Sequence, residues 1–287
     1  LLKDGEEQAN EKWRYYTERT GLTLFAELRS DLNGTSELTE RIPVIRGTIA
    51  GLNSDKALRC EVFEALIERI KNLFGPFNDA ELEKMHMGQV PNNTTSISLT
   101  RELRKFGRKQ AEWNTNLLKR FLPNVSTQYP LALYGRGPSW LYGVLALHAG
   151  TQQPFHQFDP RFKKGWIQAL KLETSDTFEI SQGAITLEQH VHKDTWMLTV
   201  LLKIGYIDYE LDMQQLVFPK PPAGYGVIID GKLPLWLFTS LARLYAGLEV
   251  PWIAFNDANT DQTDRAFVIY SKVPQYYSIG SRVPLLA

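Results

Sequence analysis

Residues 131–172 and 227–272 carry one apolar frame written twice, and a fold has to house both copies in the same way. Pro138 falls level with Pro234, Trp140 with Trp236, Leu141 with Leu237, Tyr142 with Phe238 and Phe158 with Phe255. In that frame His148 faces Leu244, Asp159 faces Asn256 and Arg161 faces Ala258. An internal repeat means one supersecondary unit built twice, so the shared apolar residues serve folding. Polar residues present in one copy and absent from the other are the candidates for chemistry.

Each copy parses as strand, tight turn, helix, strand, loop, strand. In the first, 131–134 is an apolar run, Gly135-Arg136-Gly137-Pro138 turns, 139–149 is a helix, and 154–158 and 166–172 are strands. A strand, a crossover helix and a parallel strand make a right-handed βαβ unit. The fold class is therefore α/β, with two repeated βαβ-containing domains after an N-terminal α/β segment. Residues 184–192 and 195–203 read as an antiparallel hairpin ahead of copy two. Ahead of copy one the basic stretch 99–121 reads instead as one helix, kinked at Gly107. Its Arg101, Arg104, Lys105, Arg108, Lys109, Lys119 and Arg120 form either a solvated face or a phosphate-contacting one. Further upstream, 8–20 and 60–74 read as helices and 22–28 and 43–51 as buried strands, the 60–74 helix from apolar residues at helical spacing. Residues 75–98, with Gly75, Pro76, Pro91, Asn92 and Asn93, read as a linker. The expected domains are 1–80, 99–175 and 176–287.

Charge and composition exclude several partners. Lys plus Arg equals Asp plus Glu at 32 each, so no global field favours duplex nucleic acid or an anionic membrane. No segment reaches the roughly 20 apolar residues of a membrane span. The single Cys60 allows no internal disulfide, which points to a reducing, cytoplasmic compartment. No G-x-x-x-x-G-K-[ST] phosphate loop and no G-x-S-x-G elbow occurs. His190 and His192 alternate onto one strand face, a spacing open to a metal but without a nearby cysteine.

Three features carry candidate chemistry. The turn Gly135-Arg136-Gly137-Pro138, followed by Ser139, leaves a strand and opens a helix. Its glycines permit close backbone approach, and the helix N-terminus favours an anion that the planar guanidinium of Arg136 can fork. The same glycines also suit an ordinary α/β turn. Copy two keeps a cation there, as Gly231-Lys232-Leu233-Pro234. Asp159 and Arg161 follow the second strand at its carboxyl end, where ligands bind in open α/β sheets; they serve either a shared cleft or a local ion pair. His148 ends a helix about 15 Å long, so it lies far from Arg136. It is either a histidine favoured by the helix dipole or a catalytic group that must meet Asp159 and Arg161 of another subunit stacked head to tail.

The run GRGPSWLYGVLALHA at 135–149, with FDPR at 158–161, resembles the signature of the CRISPR-associated Csx-three family, the ring nucleases of type III CRISPR systems. Copy two is similar to the same pattern through YGVIIDGKLPLWLF, PWIAF and YYSIGSRV. Residues 8–74 resemble the C-terminal part of an AAA/kinase-like NTPase domain, though without a phosphate-binding loop. The resemblance implies binding and cleavage of cyclic tetra-adenylate, a second messenger of antiviral defence. It carries the family's histidine to His148 and its Asp-x-Arg to Asp159 and Arg161. It further implies a homo-oligomer with a shared site, and manganese as a cofactor. Copy two lacks all three catalytic residues, so a chain that only senses the messenger is the alternative.

Overall fold

Two buried helices determine how the repeats assemble, because neither helix has a polar face to turn to water. The computed structural model describes residues 79–107, 112–159, 162, 165–203, 207, 209, 216–256 and 265–286. The elements expected over 8–74 lie outside the described residues. Chain contacts divide the protein into two units: residues 1–89 with Asp159–Gly165, and residues 90–158 with 166–287. In the first unit, helix α1 (Asp79–Met87) occupies part of the stretch read as a linker.

In the second unit, the first repeat forms a four-stranded sheet. Strand β1 (Thr95–Ser98) runs parallel to β2 (Leu131–Tyr134), β2 parallel to β3 (Phe155–Phe158), and β3 antiparallel to β4 (Trp166–Gln168). Small strands β5 (Glu173–Ser175) and β9 (Val217–Pro219) pair with each other. The second repeat contributes β6 (Ser181–Gln182), β7 (Ile185–His192), β8 (Thr195–Leu202), β10 (Gly226–Asp230), β11 (Trp252–Asn256), β12 (Arg265–Ser271) and β13 (Arg282–Pro284). Their order is β13-β12-β11-β10-β8-β7-β6. The expected hairpin is β7–β8, paired from Ile185–Leu202 to His192–Thr195. Strand β8 is parallel to β10 as β1 is to β2, so both copies have a preceding strand. The sequence reading missed β1 because four residues, Thr-Ser-Ile-Ser, carry no apolar run.

The basic stretch is two helices rather than one. Helix α2 (Leu99–Lys105) starts on Ser98, whose hydroxyl accepts the Arg101 N–H at 3.2 Å. It stops before Gly107, whose φ of +121° no helix accommodates. Helix α3 (Thr115–Phe121) starts afresh on Asn114, whose side chain accepts from the amides of Asn116 and Leu117. Trp113 wedges between Phe106 and Phe121.

Helices α4 (Ser139–His148) and α5 (Leu235–Gly247) each begin one residue after a proline. Helix α4 is buried continuously from Trp140 to Ala146, and such a helix must be covered on every side. The second repeat supplies the cover. Trp140 stacks on Phe267 at 4.2 Å, and a Cβ on Gly143 would stand 2.7 Å from the Phe255 ring. Helix α5 packs on its own sheet, with Phe238 4.9 Å from Phe255 and Tyr245 5.5 Å from Trp196. It reaches the first repeat through two hydrogen bonds: Thr239 donates to Gln157 Oε1 at 3.3 Å and Ser240 Oγ accepts the Leu170 N–H at 2.8 Å. The second repeat's sheet therefore carries both helices. Full burial of each large side chain contributes about 1.5–3 kcal/mol, so this layer dominates the association of the repeats.

Arg243 fixes the direction of the helices. From the last turns of α5 it donates to the carbonyls of Ala146 and Gly150 through Nη1, and of Thr151 and Gln153 through Nη2. The two helix C-termini thus meet. Trp140, in the first turn of α4, stacks on Phe267, which stands level with Phe255 at the carboxyl end of β11. Helix α5 starts after the carboxyl end of the neighbouring β10, so the turns that open α4 and α5 lie at one common edge of the second sheet.

Candidate functional site

The strand pairing corrects the frame read from sequence. Level with β2 residue Leu133 stands Gln157; level with its counterpart Ile229 stands Phe255. Gln157 and Phe255 both point at the helices, toward Thr239 and Phe238 respectively. Phe255 therefore corresponds to Gln157, and Phe158 corresponds to Asn256. A slip of one residue moves a side chain to the other face of a sheet, and the gapless match of PFHQF to PWIAF contains that slip. Carried one step further, the corrected frame sets Asp159 level in sequence with Asp257, which lies outside the described residues. The pairing of Asp159 with Asn256 is withdrawn. The absence of His148 from copy two stands, because the helices start in step and His148 is matched by Leu244.

At the common end, Gly135 has φ +101° and its missing Cβ would lie 2.9 Å from Thr100 Oγ1. A Cβ on Gly137 would lie 2.9 Å from Leu99 Cδ1. Both glycines let the turn lie against the start of α2, the geometric role that the sequence left open. Tyr142 secures the turn by donating its hydroxyl to the Gly135 carbonyl at 2.6 Å. Pro138 occupies the N-cap with no side-chain hydrogen bond, so the first amides of α4 stay uncapped. The Ser139 hydroxyl there is buried without a partner. Arg136 is exposed. The second repeat repeats the design: Gly231 has φ +133°, Pro234 leaves α5 uncapped, and Lys232 is exposed.

His148 ends α4, at the far end from Arg136, as the helix length requires. Its Nε2 is 3.1 Å from the Val125 carbonyl, which can only accept, so that nitrogen donates. Asp159 lies in the first unit and is 7% exposed. Its N–H donates to Gly165 O at 2.7 Å and its carbonyl accepts from the Phe162 N–H. An open, cleft-facing Asp159 was expected; a closed turn is found. Arg161 lies outside the described residues. His190 and His192 are exposed on β7, and among the described residues no three His, Cys, Asp or Glu side chains gather to hold a metal.

Sequence reasoning missed two groups in copy two. One is Arg243, whose four carbonyl partners bracket His148; burial pushes its guanidinium below the usual range, yet it stays charged. The other is Asp230, which accepts from Thr199 Oγ1 at 2.9 Å and from Asn256 Nδ2 at 2.7 Å. The corresponding row in copy one is aromatic: Tyr134 lies 4.9 Å from Phe158, and Phe158 5.6 Å from Trp166. Copy two has therefore been rebuilt rather than merely stripped.

Two α/β repeats with paired glycine–cation–proline turns define a class of duplicated α/β protein. The model of the CRISPR-associated protein family Cas_csx3 matches residues 108–171 and 201–284, just over half of the chain, and the chain belongs to that family. The two matched regions fall on the two repeats. No curated protein matches the chain. Its role is accordingly CRISPR-associated. No helix among the described residues is long and apolar enough to cross a membrane.

Proposed function

We propose that this protein binds cyclic tetra-adenylate at the common end of its repeats and cleaves it. The observation that carries this reading is the convergence of two uncapped helix N-termini, with exposed Arg136 and Lys232, at one end of the repeat pair. Uncapped amides and cations suit a ligand with several phosphates. The unpartnered Ser139 hydroxyl offers one further donor. Phosphates therefore meet the amides of α4 and α5, Gly135, Gly137 and Pro138 shape the first turn, and Gly231 shapes the second.

Cleavage proceeds by attack of a ribose 2′-oxygen on the adjacent phosphorus, with the P–O5′ bond breaking. His148 takes the 2′-proton or delivers one to the leaving 5′-oxygen. Arg161 offsets the charge on the phosphorane and Asp159 orients it. Because His148 is remote from the turns, it acts on ligand held by a second copy stacked end to end. The family resemblance also implies manganese; the described residues offer no ligand cluster for it, and no step is routed through it.

The test is incubation of the full chain with cyclic tetra-adenylate. The parent yields linear product and His148→Ala loses at least a hundredfold in rate; equal rates would overturn the catalytic assignment. A second reading, messenger sensing without cleavage, is favoured by the His148–Val125 hydrogen bond and the burial of Asp159. Tight binding with no turnover in the parent would establish it.

A further inference from the structure

Resting on the reading that a nucleotide binds at the common end, we propose that the second repeat reads the ribose 2′-hydroxyl of that ligand through a row of hydrogen-bond acceptors centred on Asp230. Thr199, Asp230 and Asn256 stand level on adjacent parallel strands β8, β10 and β11, on the face turned away from the helices. Glu188 on β7 stands level with Thr199 and continues the row to the exposed side of the sheet. The row lies at the carboxyl ends of the parallel strands, directly before the Gly231–Lys232 turn.

The chemistry of the row follows from its donors being used up internally. Thr199 is 8% exposed and gives its hydroxyl proton to one Asp230 oxygen. Asn256 gives an amide proton to the other. A carboxylate has about four lone-pair positions, so Asp230 can accept more. The Asn256 Oδ1 is buried and has no partner at all. A buried acceptor without a partner is a desolvation cost that a donating ligand would recover. Phosphate brings only acceptors and is excluded from the row itself. A sugar hydroxyl brings a donor, and a carboxylate at a strand's carboxyl end is a known type of partner for a ribose 2′-hydroxyl. Exposed Lys232, in the next turn, is placed for the adjoining phosphate.

The first repeat has no such row. Ser98 accepts from its own helix, and Tyr134, Phe158 and Trp166 fill the corresponding places with rings. The two repeats therefore differ in what they can read, and only the second can sense a hydroxyl by this means.

Binding of cyclic tetra-adenylate and of its all-2′-deoxy counterpart is measured by calorimetry on His148→Ala, the parent for this comparison because it holds the ribose ligand uncleaved, and on the same chain carrying Asp230→Asn or Lys232→Ala. The parent prefers the ribose ligand at least tenfold, D230N brings the two ligands within about twofold, and K232A weakens both alike. Adenosine 5′-monophosphate and its 2′-deoxy form make a second pair of probes, so failure of the cyclic ligand to bind counts against the proposed function alone. Equal binding of both members of each pair by the parent, or an unchanged preference in D230N, would overturn the inference. Should D230N not fold, Asn256→Ser, which withdraws the unpartnered oxygen, carries the same expectation.

Discussion

Replacing Arg243 with methionine keeps the apolar stem and deletes the guanidinium that ties α5 to residues 146–153. Four carbonyls lose their donor: Ala146 at 3.1 Å, Gly150 at 2.8 Å, Thr151 at 2.8 Å and Gln153 at 2.5 Å. Hydrogen bonds to a charged group contribute about 1.5–3 kcal/mol each, but not all four are lost in full. Gly150 is exposed and its carbonyl regains water; Thr151 and Gln153 are half-buried and regain it in part. Ala146 is buried, and its carbonyl is among the last four of α4, which the helix itself leaves without a partner. Counting about two bonds' worth of loss gives roughly 3–6 kcal/mol. For a body of this size each kcal/mol moves Tm by about 2–4 °C, so R243M should melt roughly 6–24 °C below the parent. Arg243→Lys keeps the charge without the fork and should fall between them. Differential scanning calorimetry gives the shift, and hydrogen exchange should show faster opening of amides 149–155. An R243M midpoint within 2 °C of the parent would refute the clamp.

Two further outcomes follow from particular contacts. Gly231→Ala forces a side chain onto φ +133° with its Cβ 2.2 Å from the Val200 carbonyl, and should cost at least about 2 kcal/mol in chemical denaturation; a loss under 0.5 kcal/mol would show that the turn relaxes freely. Burial holds the His156 imidazole below its ordinary range. The unfolded chain then binds the proton first, so stability is full above about pH 6.5 and is lost as pH falls below it. His156→Asn should flatten the decline in Tm between pH 7 and 5; an identical decline in the variant would exclude His156 as its source.

Much of the architecture was legible in the chain. Pro138 and Pro234 mark both helix starts, because proline is tolerated at a helix N-terminus and the helical run begins at once after it. The β7–β8 hairpin was legible from its two apolar runs around Lys193–Asp194. The continuous helix at 99–121 was not, because the apolar and basic residues of both halves keep helical spacing and only Gly107 and Trp113 betray the break. Of the site, the turns and the remoteness of His148 could be derived, since helix length alone separates the two ends of α4. Its bond to Val125 and the burial of Asp159 could not be derived, because both depend on segments distant in sequence or folded back as a turn.

By itself, then, the sequence determined that the chain folds as a duplicated α/β unit with cationic turns ahead of two apolar helices. Short-range propensity and repetition carry that information. Tertiary structure alone decided which face each strand residue takes: β11 is buried on both faces, so apolar alternation cannot reveal its register. It also decided that the second repeat's sheet carries both helices, that the two turns share an end, and that Arg243, Asp230 and Asn256 have partners or vacancies worth testing. Those are properties of strand pairing and helix packing, which bring together residues that no local pattern relates.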